Sequence, residues 1–137
     1  MQTTSGEKAS LSPWPKSIFA ITLFAEDLPA TKRFYQEVFG LPVIFEDANS
    51  CVFQIGETLI NLLKITEAEE LIHPAQPAGP DAGARAVLTL HVDDVDAMCA
   101  ELAARGVTLL NGPIDRPWGV RTASFVDPAG TVWEIAK

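Results

Sequence analysis

Apolar and polar positions alternate along "ITLFAEDL" (21–28) and again along "LTLHVDDV" (88–95), 67 residues later, and both runs pass into acid. Alternation of this kind marks a half-buried strand, and its return at a fixed offset marks an internal repeat. After the first run, Asp27 is placed to N-cap a helix with Pro29 in its opening turn; Phe34, Tyr35, Val38 and Phe39 form its apolar stripe before Gly40 ends it. After the second, Asp94 caps a helix carrying Val95, Met98, Cys99 and Leu102, and Gly106 ends that one.

Beyond each helix the period shortens to two. Strands are expected over 41–45, 51–55 and 58–64 in the first half and over 107–110, 120–126 and 131–136 in the second. Gly56-Glu57 makes the first tight turn and "DPAG" the last, with Pro128 presetting φ and Gly130 supplying a positive one. Each half therefore reads β-α-β-β-β. Between them "TEAEELIHPAQPAGPDAGARA" reads as a mobile linker with one short helical turn at 67–72 and a solvated His73; its length also suits a crossover or a flap. The expected organisation is a disordered leader over 1–16, then one domain over 17–137: module one 17–64, linker 65–85, module two 86–137.

Composition narrows the class. With 137 residues, 47% of them hydrophobic and 20% charged, the chain has the make-up of one ordinary folded domain. Ten basic against eighteen acidic residues, a formal charge of −8, argue against a nucleic-acid partner and mildly favour neutral or cationic ligands, though surplus acid often serves only solubility. Cys51 and Cys99 belong to no C-x-x-C pattern, so neither a disulfide framework nor a zinc knuckle is expected. No segment reads as a signal peptide or a membrane span, and the expected location is the cytoplasm.

"ITLFAEDLPATKRFYQEVFGLPV", "LTLHVDDVDAMCAELAARG" and "PWGVRTASFVDPAGTVWEIA", in this order and spacing, resemble the vicinal oxygen chelate superfamily, the glyoxalase and bleomycin-resistance group with its dioxygenase-like fold. The resemblance covers nearly everything from Ser17 to Lys137. It implies an α+β fold in which two βαβββ modules form an open, cupped, mixed β-sheet barrel with helices outside, a ligand cleft between modules, and a homodimer. It also implies four seats where metal-dependent members place ligands: Ala20 and Val87, seven residues before Asp27 and Asp94, and Asn61 and Glu134 on the last strand of each module. Alanine and valine have no donor atom, and a divalent ion wants several oxygen or nitrogen ligands. No metal and no other cofactor is expected.

The remaining candidates surround those seats. His91 shares the strand parity of Val87 but stands about 13 Å further along, at roughly 3.3 Å per residue; it suits hydrogen-bonding to a ligand or a place on a polar rim. Phe24 is its counterpart in the first repeat, and Phe53 is a third aromatic if its strand parity is favourable; core packing is the alternative for both. Glu134, if inward, needs a donor, and the candidates are Asn61, its counterpart in the first module, and Arg121 on the preceding strand. Trp118, in the loop "DRPWGVR", either plugs the core or forms a ligand wall. No nucleophile elbow, P-loop or dinucleotide motif is present.

The leading expectation is a metal-independent protein similar to bleomycin-resistance proteins, which confer antibiotic resistance by sequestering a drug-like or metabolite molecule. The alternatives are a cofactor-free, glyoxalase-like isomerase or lyase with Glu134 as base and His91 as acid, and a catalytically silent dimeric module.

Overall fold

The structure is a computed structural model describing residues 13–137. Residues 1–12, most of the expected leader, lie outside the described residues. The first half comprises β1 (Ala20–Ala25), α1 (Leu28–Glu37), β2 (Phe45–Glu46), β3 (Ser50–Ile55) and β4 (Thr58–Lys64). A 3₁₀ turn (Ile65–Glu67), α2 (Ala68–Ile72) and a second 3₁₀ turn (Pro80–Ala82) lead to the second half, which comprises β5 (Val87–His91), α3 (Val95–Ala104), β6 (Asn111–Asp115), β7 (Arg121–Val126) and β8 (Val132–Ala136).

Each half builds a mixed four-stranded sheet, in the orders β1-β4-β3-β2 and β5-β8-β7-β6. The first strand of each runs parallel to the last, Thr22 opposite Asn61 and Thr89 opposite Glu134, and the other pairings are antiparallel. Two cupped sheets with helices on one face make an α+β molecule, with no closed barrel among the described residues. The helices start where the repeat places them: the Asp27 and Asp94 carboxylates each accept from the backbone N–H three residues on, at 3.0 Å.

Two strands depart from expectation. In the first half only Phe45–Glu46 pairs over the expected 41–45, since Leu41 and Val43 turn toward the core. In the second, Val107 and Leu109 likewise lie against the core, and pairing begins at Asn111, where a bulge separates Asn111 from Ile114. Apolar alternation at these positions reflects docking of irregular chain, not ladder formation.

The helix-covered faces share one core. Tyr35 and Phe39 of the first half meet Phe125 and Trp133 of the second, with ring centroids 5.0 Å apart for Phe39–Trp133 and 6.1 Å for Tyr35–Trp133. At its centre the Tyr35 hydroxyl donates to Asp127 Oδ2 at 2.7 Å and accepts from the Trp133 indole N–H at 3.0 Å. The other Asp127 oxygen accepts from the N–H groups of Ala129 and Thr131, shaping the β7–β8 turn. Burial pushes the Asp127 carboxyl above its ordinary value against the pull of these donors. No helix among the described residues is long and apolar enough to cross a membrane.

Candidate functional site

Strand parity sorts the side chains. Ile21, Leu23, Leu88 and Leu90 pack against the shared core, so Ala20, Thr22 and Phe24, like Val87, Thr89 and His91, lie on the opposite, open faces. Register then places Asn61 beside Thr22 and Glu134 beside Thr89. Both pairs are joined by side chains: Thr89 Oγ1 donates to Glu134 Oε1 at 2.9 Å, and Asn61 Nδ2 donates to Thr22 Oγ1 at 3.4 Å. The threonines are themselves repeat counterparts, 67 positions apart. Glu134 and Asn61 thus occupy equivalent positions, each tied to the first strand of its own sheet.

No hydrogen bond or ion pair among the described residues joins the two pairs, which lie on the open faces of two separate sheets. A groove of about 430 Å³ runs between the sheets, lined by Ile21, Thr58 and Ile60 on one side and Val87, Thr89 and Trp133 on the other. It reaches Val87 but neither Asn61 nor Glu134.

The donor set does not fit a metal. The Ala20 and Val87 side chains have no ligating atom, Glu134 Oε1 already accepts from Thr89, and Asn61 Oδ1 is buried with no hydrogen-bond partner among the described residues. No cluster of three or more His, Cys, Asp or Glu suited to a metal occurs among the described residues.

The other candidates divide. His91 is exposed on the open face, level with Ala136, two residues along from Glu134's row. Phe24 is half-buried on the equivalent face of the first sheet, level with Leu63. Trp118 is 72% exposed in the β6–β7 loop and plugs no core. Phe53 is not a wall of the cleft: its register with Ile60 puts it on the helix-covered face, fully buried and stacked on Tyr35 at 5.6 Å. Arg121 is not the partner of Glu134. It stands one residue from Thr122, hence on the other side of β7, and its guanidinium is held by Asp96 of α3 at 2.9 Å and Asp115 at 3.0 Å. That pairing holds the Asp96 carboxyl below its usual range.

Three polar side chains on the same open face were not anticipated. Ser124 lies directly opposite Glu134, and Asn111 lies opposite Ser124 on the next strand. Arg116, from the β6–β7 connection, donates through Nε to Thr122 Oγ1 at 2.8 Å and through Nη2 to Asn111 Oδ1 at 3.2 Å. The second sheet's open face is thus a polar row, Thr89–Glu134–Ser124–Asn111, with a guanidinium at one end. Alternation in "RTASFV" carried the signal for Thr122 and Ser124, but nothing local aims Arg116 back over β7.

A second concavity, of about 330 Å³, sits on the helix side among Phe39, Leu90, Met98, Leu102 and Phe125. Its one cation, Arg105, is committed to Glu101 at 2.9 Å and to the Val38 carbonyl. The polar groups available to a ligand lie on the open face instead.

Two cupped βαβββ sheets, with equivalent first- and last-strand positions facing outward, define a paired-module α+β fold. The chain belongs to the Glyoxalase/Bleomycin resistance protein/Dioxygenase superfamily, whose sequence profile matches residues 17–135. It is 32% identical over 124 residues to the uncharacterized protein YraH of Bacillus subtilis (strain 168), covering 88% of this chain and 97% of that one. Its fold resembles that of a glyoxalase-related enzyme from Fulvimarina pelagi, with a TM-score of 0.76, 26% identity and coverage of 89% and 88%. It also resembles lactoylglutathione lyase from Agrobacterium tumefaciens, with a TM-score of 0.72, 25% identity and coverage of 89% and 93%.

Proposed function

We propose that this protein is a cytoplasmic, metal-independent small-molecule-binding member of the superfamily, sequestering a drug-like or metabolite ligand as bleomycin-resistance proteins do. The observation that carries the reading is the pairing of Glu134 with Thr89 and of Asn61 with Thr22 on open faces, beside two seats, Ala20 and Val87, that hold no donor. A carboxylate oriented by a hydroxyl is a ready acceptor for a ligand's cationic or N–H group. His91, Phe24 and Trp118 add an imidazole and two aromatic surfaces, as small-molecule sites commonly have. A second copy of the chain supplies the facing wall, so that Asn61's half-site from one subunit meets Glu134's half-site from the other. Support for this comes from the exposure of Val87, Thr89 and His91, which leaves the open face of β5 uncovered in a single chain.

The test is a panel of aromatic cationic antibiotics titrated against tryptophan fluorescence, with substrate consumption followed in parallel. Saturable quenching without turnover supports binding. Absence of saturable binding across the panel contradicts it.

One observation favours a second reading. Glu134 and His91 occupy adjacent strands on one face, two residues apart in register, roughly 8 Å between α-carbons from strand spacing and rise. A carbonyl compound lying between them would meet a base and an acid without any cofactor. Turnover lost in Glu134→Gln while binding persists would establish this isomerase or lyase reading instead.

A further inference from the structure

The polar row on the second sheet has charge of both signs. Glu134 stands at β8 and Arg116 reaches over β7 to Asn111 of β6, two strand spacings from Glu134, roughly 10 Å. Arg116 is held there by two neutral acceptors, the Thr122 hydroxyl and the Asn111 amide oxygen, and it forms no ion pair with a described carboxylate. Its chain neighbour Asp115, the obvious counter-ion, is turned to Arg121 instead. Of the five N–H groups of a guanidinium, two are used, and the others have no acceptor among the described residues. Between the two charges the Ser124 hydroxyl, 6% exposed as a residue, has no hydrogen-bond partner among the described residues. Buried polar groups are normally satisfied, so an unmet hydroxyl between an anchored cation and an anchored carboxylate points to a polar guest that completes the row.

We propose that the ligand of this site is amphoteric: an oxyanion, carboxylate or phosphonate, docks on Arg116, while an ammonium or N–H group docks on Glu134, with Ser124 and Thr89 beside them. This rests on the ligand-binding reading above and names its ligand class. The first sheet offers no equivalent array, since Val52 and Asn61 stand where Ser124 and Glu134 do. The polarity of the ligand is thereby fixed within the cleft, acid toward β6 and donor toward β5. In a chain of formal charge −8, a cation positioned by neutral groups gives an acidic ligand a local partner that the overall field does not.

The proposal is tested by calorimetric titration of the full chain with four probes sharing one ring: 4-(aminomethyl)benzoate, 4-(aminomethyl)phenylphosphonate, 4-methylbenzoate and 4-methylbenzylamine. The two amphoteric probes are expected to bind about tenfold or more tighter than either single-function probe, the scale of a charge-assisted hydrogen bond. The better of the two identifies the oxyanion. Arg116→Gln should lower their affinity to that of 4-methylbenzylamine without affecting the latter, and Arg116→Lys should restore part of the loss. Glu134→Gln should lower them to the level of 4-methylbenzoate. Melting curves show that each variant is folded. If folded Arg116→Gln binds the acid-bearing probes like the wild type, the proposal is overturned. If the amine alone binds, through Glu134, ligand binding stands and the role of Arg116 falls. Failure of all four probes overturns the amphoteric assignment, while the antibiotic panel still decides the parent reading.

Discussion

Tyr35 carries more of the structure than any feature of its surrounding sequence suggests. Its hydroxyl joins residues 92 and 98 positions away, Asp127 and Trp133, and so ties the helix of one repeat to the last hairpin of the other. Tyr35→Phe would leave Asp127 Oδ2 and the Trp133 indole N–H each without the partner they now have, while Asp127 Oδ1 keeps the Ala129 and Thr131 N–H groups. The expected loss is about 2–4 kcal/mol, from desolvated groups left unmet, measured by urea unfolding. Asp127 also sets a pH dependence. Its folded pKa is raised, so the folded chain holds this proton more tightly than the unfolded chain does. Its contribution is present below the ordinary carboxylate value, about 3.9, and is lost as pH rises through the folded value. Asp127→Asn should flatten that part of the stability–pH curve while lowering stability overall. A curve unchanged in slope would contradict the assignment. None of this was legible in the sequence, because a tyrosine on an apolar helix stripe looks the same whether or not its hydroxyl finds a partner ninety residues away.

At the scale of elements, what was legible is what depends on short-range periodicity. The repeat of "ITLFAEDL" in "LTLHVDDV" located β1 and β5 and both helix starts, because a capping carboxylate acts three residues from itself. Counting along the repeat also located Asn61 and Glu134 at equivalent positions. Parity was the weak point: Phe53 and Arg121 each lie one residue off the open face, and a one-residue shift reverses the side. Position 41–45 and 107–110 misled for a related reason, since apolar side chains alternate in a docked loop as they do in a strand. The β6 segment gives a sharp test of the observed geometry. Gly112 has φ +91°, and a Cβ there would stand 2.6 Å from the Thr122 carbonyl oxygen and 2.7 Å from Ala123 Cα. Gly119 has φ +94°, and a Cβ there would meet no described residue within 4 Å beyond its chain neighbours. Gly119→Ala should therefore cost about 1–2 kcal/mol from backbone conformation alone, and Gly112→Ala about 1–3 kcal/mol more from overpacking. Thermal melts of the two variants compare them directly, and equal losses would contradict the close β6–β7 approach.

Across the whole molecule, the shared core lies on the helix-covered faces and the polar pairs lie on the open ones. In the proposed function, one chain carries both halves of the site without closing them on each other. In the proposed dimer, Val87, half exposed on the open face of β5, is covered by the second copy. Val87→Arg should shift sedimentation from dimer to monomer with circular dichroism unchanged, and a dimer that persists would place the interface elsewhere. The fold is the superfamily's; the proposed function turns on the content of the four seats that the resemblance assigns, Ala20, Asn61, Val87 and Glu134. In the proposed function, Ala20 and Val87 leave Glu134 to hold an organic ligand and not a metal ion. Native mass spectrometry of the protein after incubation with Mn²⁺, Fe²⁺, Ni²⁺ and Zn²⁺ tests it most directly. The expected spectrum shows no stoichiometric metal adduct, in the wild type and in Glu134→Gln alike; one retained ion per chain that disappears in Glu134→Gln would contradict the account.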